Sequence, residues 1–91
     1  MNLIDAQETP NPNAMKFTLP FSIIENGSRS YASAAEATDN ELAARLFEVD
    51  GVRMLFMLKN FITVTKDPTQ SWQSIRGPVE QILGHWPQKL N

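Results

Sequence analysis

The stretch Gly51–Lys66, G-V-R-M-L-F-M-L then K-N then F-I-T-V-T-K, limits what this chain can fold into more than any other. Two runs rich in apolar, aromatic and β-branched residues flank a two-residue polar break, the pattern of a β-hairpin. Lys59-Asn60 is weaker turn chemistry than Asn-Gly, although Asn tolerates the left-handed conformation such turns need. A loop with an even number of residues centred there sets Leu58 opposite Phe61, Met57 opposite Ile62 and Leu55 opposite Val64. Directly opposed residues point to the same side of a sheet. One face therefore carries Leu55, Met57, Ile62 and Val64. It is uniformly apolar and is the core candidate. The other carries Met54, Phe56, Leu58, Phe61, Thr63 and Thr65, a mixture that suits partial cover. Changing the loop by one residue would exchange the two faces.

The rest of the chain supplies partners for that hairpin. Asn2–Gln7 reads as a short strand. In Thr9-Pro10-Asn11-Pro12-Asn13 two prolines fix φ and push the residues before them away from helix, so this is a turn or extended loop. Ala14–Leu19 alternates, with Met15, Phe17 and Leu19 on one side and Lys16 and Thr18 on the other, as in a half-buried strand. Phe21–Glu25 fits neither period. Asn26-Gly27 is a turn pair, followed by a short strand over Ser28–Ala32. Ser33 with Glu36, and Thr38 with Glu41, both have capping-box spacing. They predict a short helical turn, then a helix over about Asp39–Glu48 with Leu42, Ala43, Leu46 and Phe47 as its apolar stripe. Gly51 stops it. Ser71 is the next N-cap, and Trp72, Ile75, Val79, Ile82, Leu83 and Trp86 recur at helical spacing up to Pro87. Gly77-Pro78 predicts either a kink or two short helices. This order is α+β: two helices packed on one face of a mainly antiparallel sheet that contains a central β-hairpin.

Ninety-one residues predict a single domain, 1–91, with one compact core. The formal net charge of −2 gives no electrostatic reason to expect nucleic acid or an anionic membrane. Cysteine is absent, which removes disulfides, thiolate catalysis and Cys-ligated clusters from this chain. The opening M-N-L-I-D-A-Q-E has no basic region and no long apolar run, so it is no secretory signal, and no stretch is long enough to span a bilayer. The expected address is cytoplasmic.

Few residues carry chemistry. Thr9, Asn11 and Asn13 form a rigid amide-rich loop that could dock a partner, or could simply bond their own backbone to shape a Pro-rich turn. Phe56 and Phe61, with Met54 and Leu58, could form a partner patch, or lie under a loop or in a dimer seam. His85 is the only histidine and lacks companion ligands. Asp39 and Glu41 suit a first helical turn, whereas Glu48 and Asp50 sit unfavourably at a helix C-terminus. No spacing makes the carboxylates and His85 converge on iron. No nucleophile elbow or phosphate loop is present. The residues predict no enzyme, no cofactor and no metal site.

Two stretches carry a family resemblance. T-P-N-P-N-A-M-K-F (Thr9–Phe17) is similar to the opening of the N-terminal domain of NifU/Nfu-type iron–sulfur scaffold proteins, and G-V-R-M-L-F-M-L-K-N-F-I-T-V-T-K resembles that domain's hairpin. Gly27–Ala37, Trp72 and Pro78 also fit, so the resemblance covers nearly the whole chain. In two-domain members the cluster is held by a C-terminal domain through a Cys-x-x-Cys pair, which this chain lacks. The resemblance thus implies a non-catalytic accessory domain of cluster assembly or delivery, with iron binding a family property only. It would contact assembly or client proteins, with its oligomeric state open. The alternative is a single-stranded RNA-binding module stacking bases on Phe56 and Phe61. The acidic net charge disfavours it.

Overall fold

The structure, a computed structural model, describes residues 4–24 and 26–84. Five strands, β1 (Asp5–Glu8), β2 (Ala14–Thr18), β3 (Ser28–Tyr31), β4 (Val52–Leu58) and β5 (Phe61–Lys66), form one sheet of order β1-β2-β5-β4-β3. Every neighbouring pair is antiparallel. The helices are α1 (Glu41–Phe47) and α2 (Trp72–Gly84), preceded by a 3-10 helix over Ala34–Asp39. The α+β class and the near-central hairpin are as the sequence predicts.

The hairpin register is the expected one. Leu58 pairs with Phe61, Met57 with Ile62 and Leu55 with Val64 across the two-residue turn. The left-handed residue is Lys59, at φ 54°, whereas the sequence pointed to Asn60. The turn is held from outside. Leu19 N–H donates to the Asn60 carbonyl at 2.7 Å, and Ile23 N–H donates to the Lys59 carbonyl at 2.7 Å. The segment that fits neither helix nor strand period therefore straps the hairpin tip. A bulge lies between Val52 and Met54. It turns the strand over, so Val52 is buried while Met54 is 48% exposed.

The uniformly apolar face takes the helices. Leu55, Met57, Ile62 and Val64 join Met15, Phe17 and Tyr31 beneath Leu42, Ala43 and Leu46 of α1 and Ile75, Val79 and Leu83 of α2. The helix starts differ from the capping-box reading. Ser33 makes no side-chain cap, and Glu36 accepts instead from Ala32 N–H at 3.1 Å. The N-cap of α1 is Asn40, not Thr38: its Oδ1 accepts from Ala43 N–H at 3.0 Å. Asn ranks above Thr as a cap, and Thr38 lies inside the 3-10 helix that precedes α1. Ser71 caps α2 as predicted, accepting from Gln73 N–H at 3.1 Å. Pro78 lies inside one continuous α2, so of the two predicted outcomes the break does not occur. Burial of Ile75 and Val79 on either side outweighs the single missing hydrogen bond. Gly51, at φ +101°, takes the chain from α1 into β4, and an added Cβ would lie 2.9 Å from Ile75 Cδ1. Trp86 and Pro87, invoked in the helix prediction, and His85 lie outside the described residues.

Candidate functional site

The second face of the sheet is a grid whose rows follow from the strand register. One row runs Asp5, Thr18, Phe61, Leu58, Ser28. The next runs Gln7, Lys16, Thr63, Phe56, Ser30. A third contains Ala14, Thr65 and Met54. Phe56 and Phe61 are thus diagonal neighbours on adjacent strands, with ring centroids 6.2 Å apart and tilted by 49°. Both are half-buried. Lys16 Nζ lies 4.4 Å from the Phe61 centroid, a cation–π contact. Beside Phe56, a cavity of about 190 Å³ is lined by Ser30, Met54, Thr63, Thr65 and Glu36 among others. Sequence reasoning grouped Met54 and Leu58 with the two rings. It left Lys16 out, because the pairing of β2 with β5 spans half the chain and no local pattern encodes it.

The loop Thr9–Asn13 bonds largely to its own backbone, with Pro10, Asn11 and Pro12 exposed. Thr9 Oγ1 accepts from Asn11 N–H at 3.1 Å and lies within donating distance of the Asn11 and Ala14 carbonyls. Asn11 Oδ1 accepts from Asn13 N–H at 2.9 Å. Asn13 Oδ1 accepts from Lys66 Nζ at 3.1 Å. Lys66 is 7% exposed, and its ammonium also lies 5.9 Å from the Trp72 ring centroid. Trp72 Nε1 donates to the Pro12 carbonyl at 3.0 Å. The side-chain oxygens of Thr9, Asn11 and Asn13 therefore shape and anchor the loop. Trp72 also packs on Phe17, a core-face residue, at 6.5 Å. The loop is tied to the helix side, and Phe56 and Phe61 lie on the other. The structure does not bring the two candidate sites together.

Some charges are paired locally. Asp67 accepts from Arg53 Nε at 3.1 Å and from Arg53 Nη2, and also from Thr69 N–H at 2.9 Å and Thr69 Oγ1 at 2.8 Å. The guanidinium, then the two Thr69 donors, hold its carboxyl well below the usual carboxylate range. Tyr31 donates to Asp39 Oδ1 at 3.1 Å. Burial, then that carboxylate, raises the phenol above its ordinary value. Among the described residues no group of three or more His, Cys, Asp or Glu side chains could hold a metal ion.

The family model for the N-terminal domain of scaffold protein Nfu/NifU matches residues 4–89. The chain belongs to the Nfu/NifU N-terminal family. Members with similar sequences include the human mitochondrial NFU1 iron-sulfur cluster scaffold homolog, 39% identical over 64 residues, which cover 70% of this chain and 25% of that protein. NifU-like protein 5 of Arabidopsis thaliana, also mitochondrial, is 33% identical over 80 residues, 88% of this chain and 29% of that protein. This Nfu/NifU N-terminal chain spans under a third of the length of those curated relatives. Solved structures agree on the fold. The crystal structure of Staphylococcus aureus protein SAV1430 is 30% identical at TM-score 0.77, covering 90% of this chain and 98% of that one. The NifU-like protein of Saccharomyces cerevisiae is 27% identical at TM-score 0.81, covering 94% of this chain and 78% of that one. Because eukaryotic relatives are mitochondrial, a cytoplasmic address is not a property of the family.

Proposed function

We propose that this domain serves iron–sulfur cluster assembly or delivery through protein–protein contacts, without holding a cluster and without catalysing a reaction. The family match over residues 4–89 carries the reading. The chain has no cysteine, and such clusters are held by thiolates, so the cluster would be carried by another protein or another domain. The contact surface in this reading is the face bearing Phe56 and Phe61. Both helices cover the opposite face, and half-exposed aromatic rings are common anchors of protein contacts. The hydroxyls of Thr18, Thr63 and Thr65 keep that face wettable between encounters. One lysine on the face and a net charge of −2 give nucleic acid little purchase. Among the described residues no helix is long and apolar enough to cross a membrane.

The test pairs two measurements on one variant, Phe56→Ser with Phe61→Ser. A quantitative pull-down from native extract should lose cluster-assembly or client proteins, while a denaturant melt stays near that of the parent. Anaerobic reconstitution of the parent with iron and sulfide should leave no cluster absorbance after desalting. A variant that stays folded and keeps its full set of partners overturns the surface. Retained stoichiometric iron and sulfide overturns the accessory role.

A further inference from the structure

We infer that the groove between the end of α1 and α2 docks a basic, amphipathic segment of a protein partner. The groove encloses about 540 Å³, against about 190 Å³ for the cavity on the sheet face. Glu48, Val49, Asp50, Ser74, Pro78 and Ile82 line it. Val49 and Ile82 are half-buried hydrophobic residues resting on the core, so the groove has an apolar floor.

Its charged lining is two carboxylates, Glu48 and Asp50, against one guanidinium, Arg45, alongside the neutral Gln70 and Gln81. Glu48 is the C-cap of α1, and Asp50 follows it. The last carbonyls of a helix already carry partial negative charge, so carboxylates placed there are unfavourable for folding. Neither side chain forms a hydrogen bond or an ion pair among the described residues, and both are exposed. The nearby guanidiniums are engaged elsewhere. Arg45 also lines the groove, but its Nη2 pairs with Glu41 at 3.4 Å. Arg53 is held by Asp67, and Asp50 acts on it only through space. Pro78 interrupts the hydrogen-bond ladder of α2 here. It has no N–H for the carbonyl one helical turn back, that of Ser74, and both residues border the groove.

An apolar floor beneath unpaired carboxylates complements one kind of side chain best. Arg and Lys lay their alkyl stems on apolar surface while the charged head meets acceptors. A segment presenting Leu-like residues flanked by Arg or Lys satisfies both parts of the groove. A bare metal ion would leave the floor unused, and a polyanion would be repelled. The groove also accounts for Glu48 and Asp50, which fold stability alone does not explain.

The test uses the full chain labelled with nitrogen-15. One probe is a synthetic helical peptide with Leu along one face and Arg at its borders. The control has Glu in place of each Arg. The Arg peptide should shift the amide signals of Val49, Gln70, Ser74 and Ile82, and its binding should weaken with added salt. Glu48→Gln with Asp50→Asn should raise its Kd about tenfold, as the loss of two exposed charge pairs does. Phe56→Ser with Phe61→Ser should leave the Kd unchanged. No shifts, shifts confined to the sheet face, equal binding of the Glu peptide, or an unchanged Kd in the Gln/Asn variant would each overturn the proposal. Because the probe is synthetic, the result is independent of whether cluster-assembly proteins are the partners.

Discussion

Trp72 donates its indole N–H to the Pro12 carbonyl across sixty residues of chain, at 3.0 Å. That bond, with Lys66 reaching Asn13, joins the Pro-rich loop to the start of α2 and to the end of β5. The loop and the helix therefore stabilise each other.

The relationship separates two roles of one side chain. Trp72→Phe keeps one ring against Phe17 and removes the donor together with the second ring of the indole. It should cost at least about 0.5–1.5 kcal/mol, the net value of a hydrogen bond whose acceptor is exposed enough to find water. Trp72→Ala also removes the packing and should cost clearly more. Denaturant melts of both variants compare them. Equal losses would mean that the ring contributes nothing beyond its N–H.

The register of the hairpin makes the second prediction. Leu55 is 2% exposed and lies under the helices, so Leu55→Ala should cost about 2–5 kcal/mol. Thr63 lies on the other face beside Phe56, and Thr63→Ala should stay within about 0.5–1 kcal/mol of the parent. Equilibrium melts decide between them. A larger loss for Thr63→Ala would require the opposite face to be the core.

The Arg53–Asp67 pair predicts acid sensitivity. In the folded chain the Asp67 carboxyl is held below its ordinary value by Arg53 and Thr69, whereas in the unfolded chain it titrates near that ordinary value of about 3.8. The unfolded state therefore binds the proton first. The contribution is present in full above the unfolded value and is lost as pH falls below it toward the folded value. Arg53→Ala should flatten the acid limb of a plot of stability against pH, while changing its slope little between pH 6 and pH 8, where Asp67 is ionised in both states. An unchanged acid limb would show that the pair is too solvated to matter.

Local chemistry alone determined a good deal of this protein. Alternation in Ala14–Leu19 and in the two hairpin runs specifies which residues face the core, because successive side chains on a strand point to opposite sides. A two-residue break between the runs specifies their register. Helical spacing from Trp72 to Leu83 specifies α2. Each of these signals lies within a few residues of the structure it encodes. Caps were legible only as a set of candidates, since Thr38 and Asn40 are both competent and the choice rests on how the 3-10 helix delivers the chain.

The tertiary structure decided what depends on elements far apart in sequence. Strand order brought Lys16 onto Phe61, and the bulge after Val52 turned Val52 inward, off the face that alternation gives it with Met54. Packing kept Pro78 inside a continuous helix, because the buried residues on both sides of it gain more than one lost hydrogen bond costs. Docking of Trp72 on Pro12 tied the amide-rich loop to the helix side, with Pro10, Asn11 and Pro12 left exposed. The meeting of α1 and α2 set Glu48 and Asp50 beside Ile82, thirty or more residues away. Sequence periodicity reports the environment along one element. Which elements become neighbours is settled only when the whole core closes, since burial on one face of the sheet is shared by every segment that covers it.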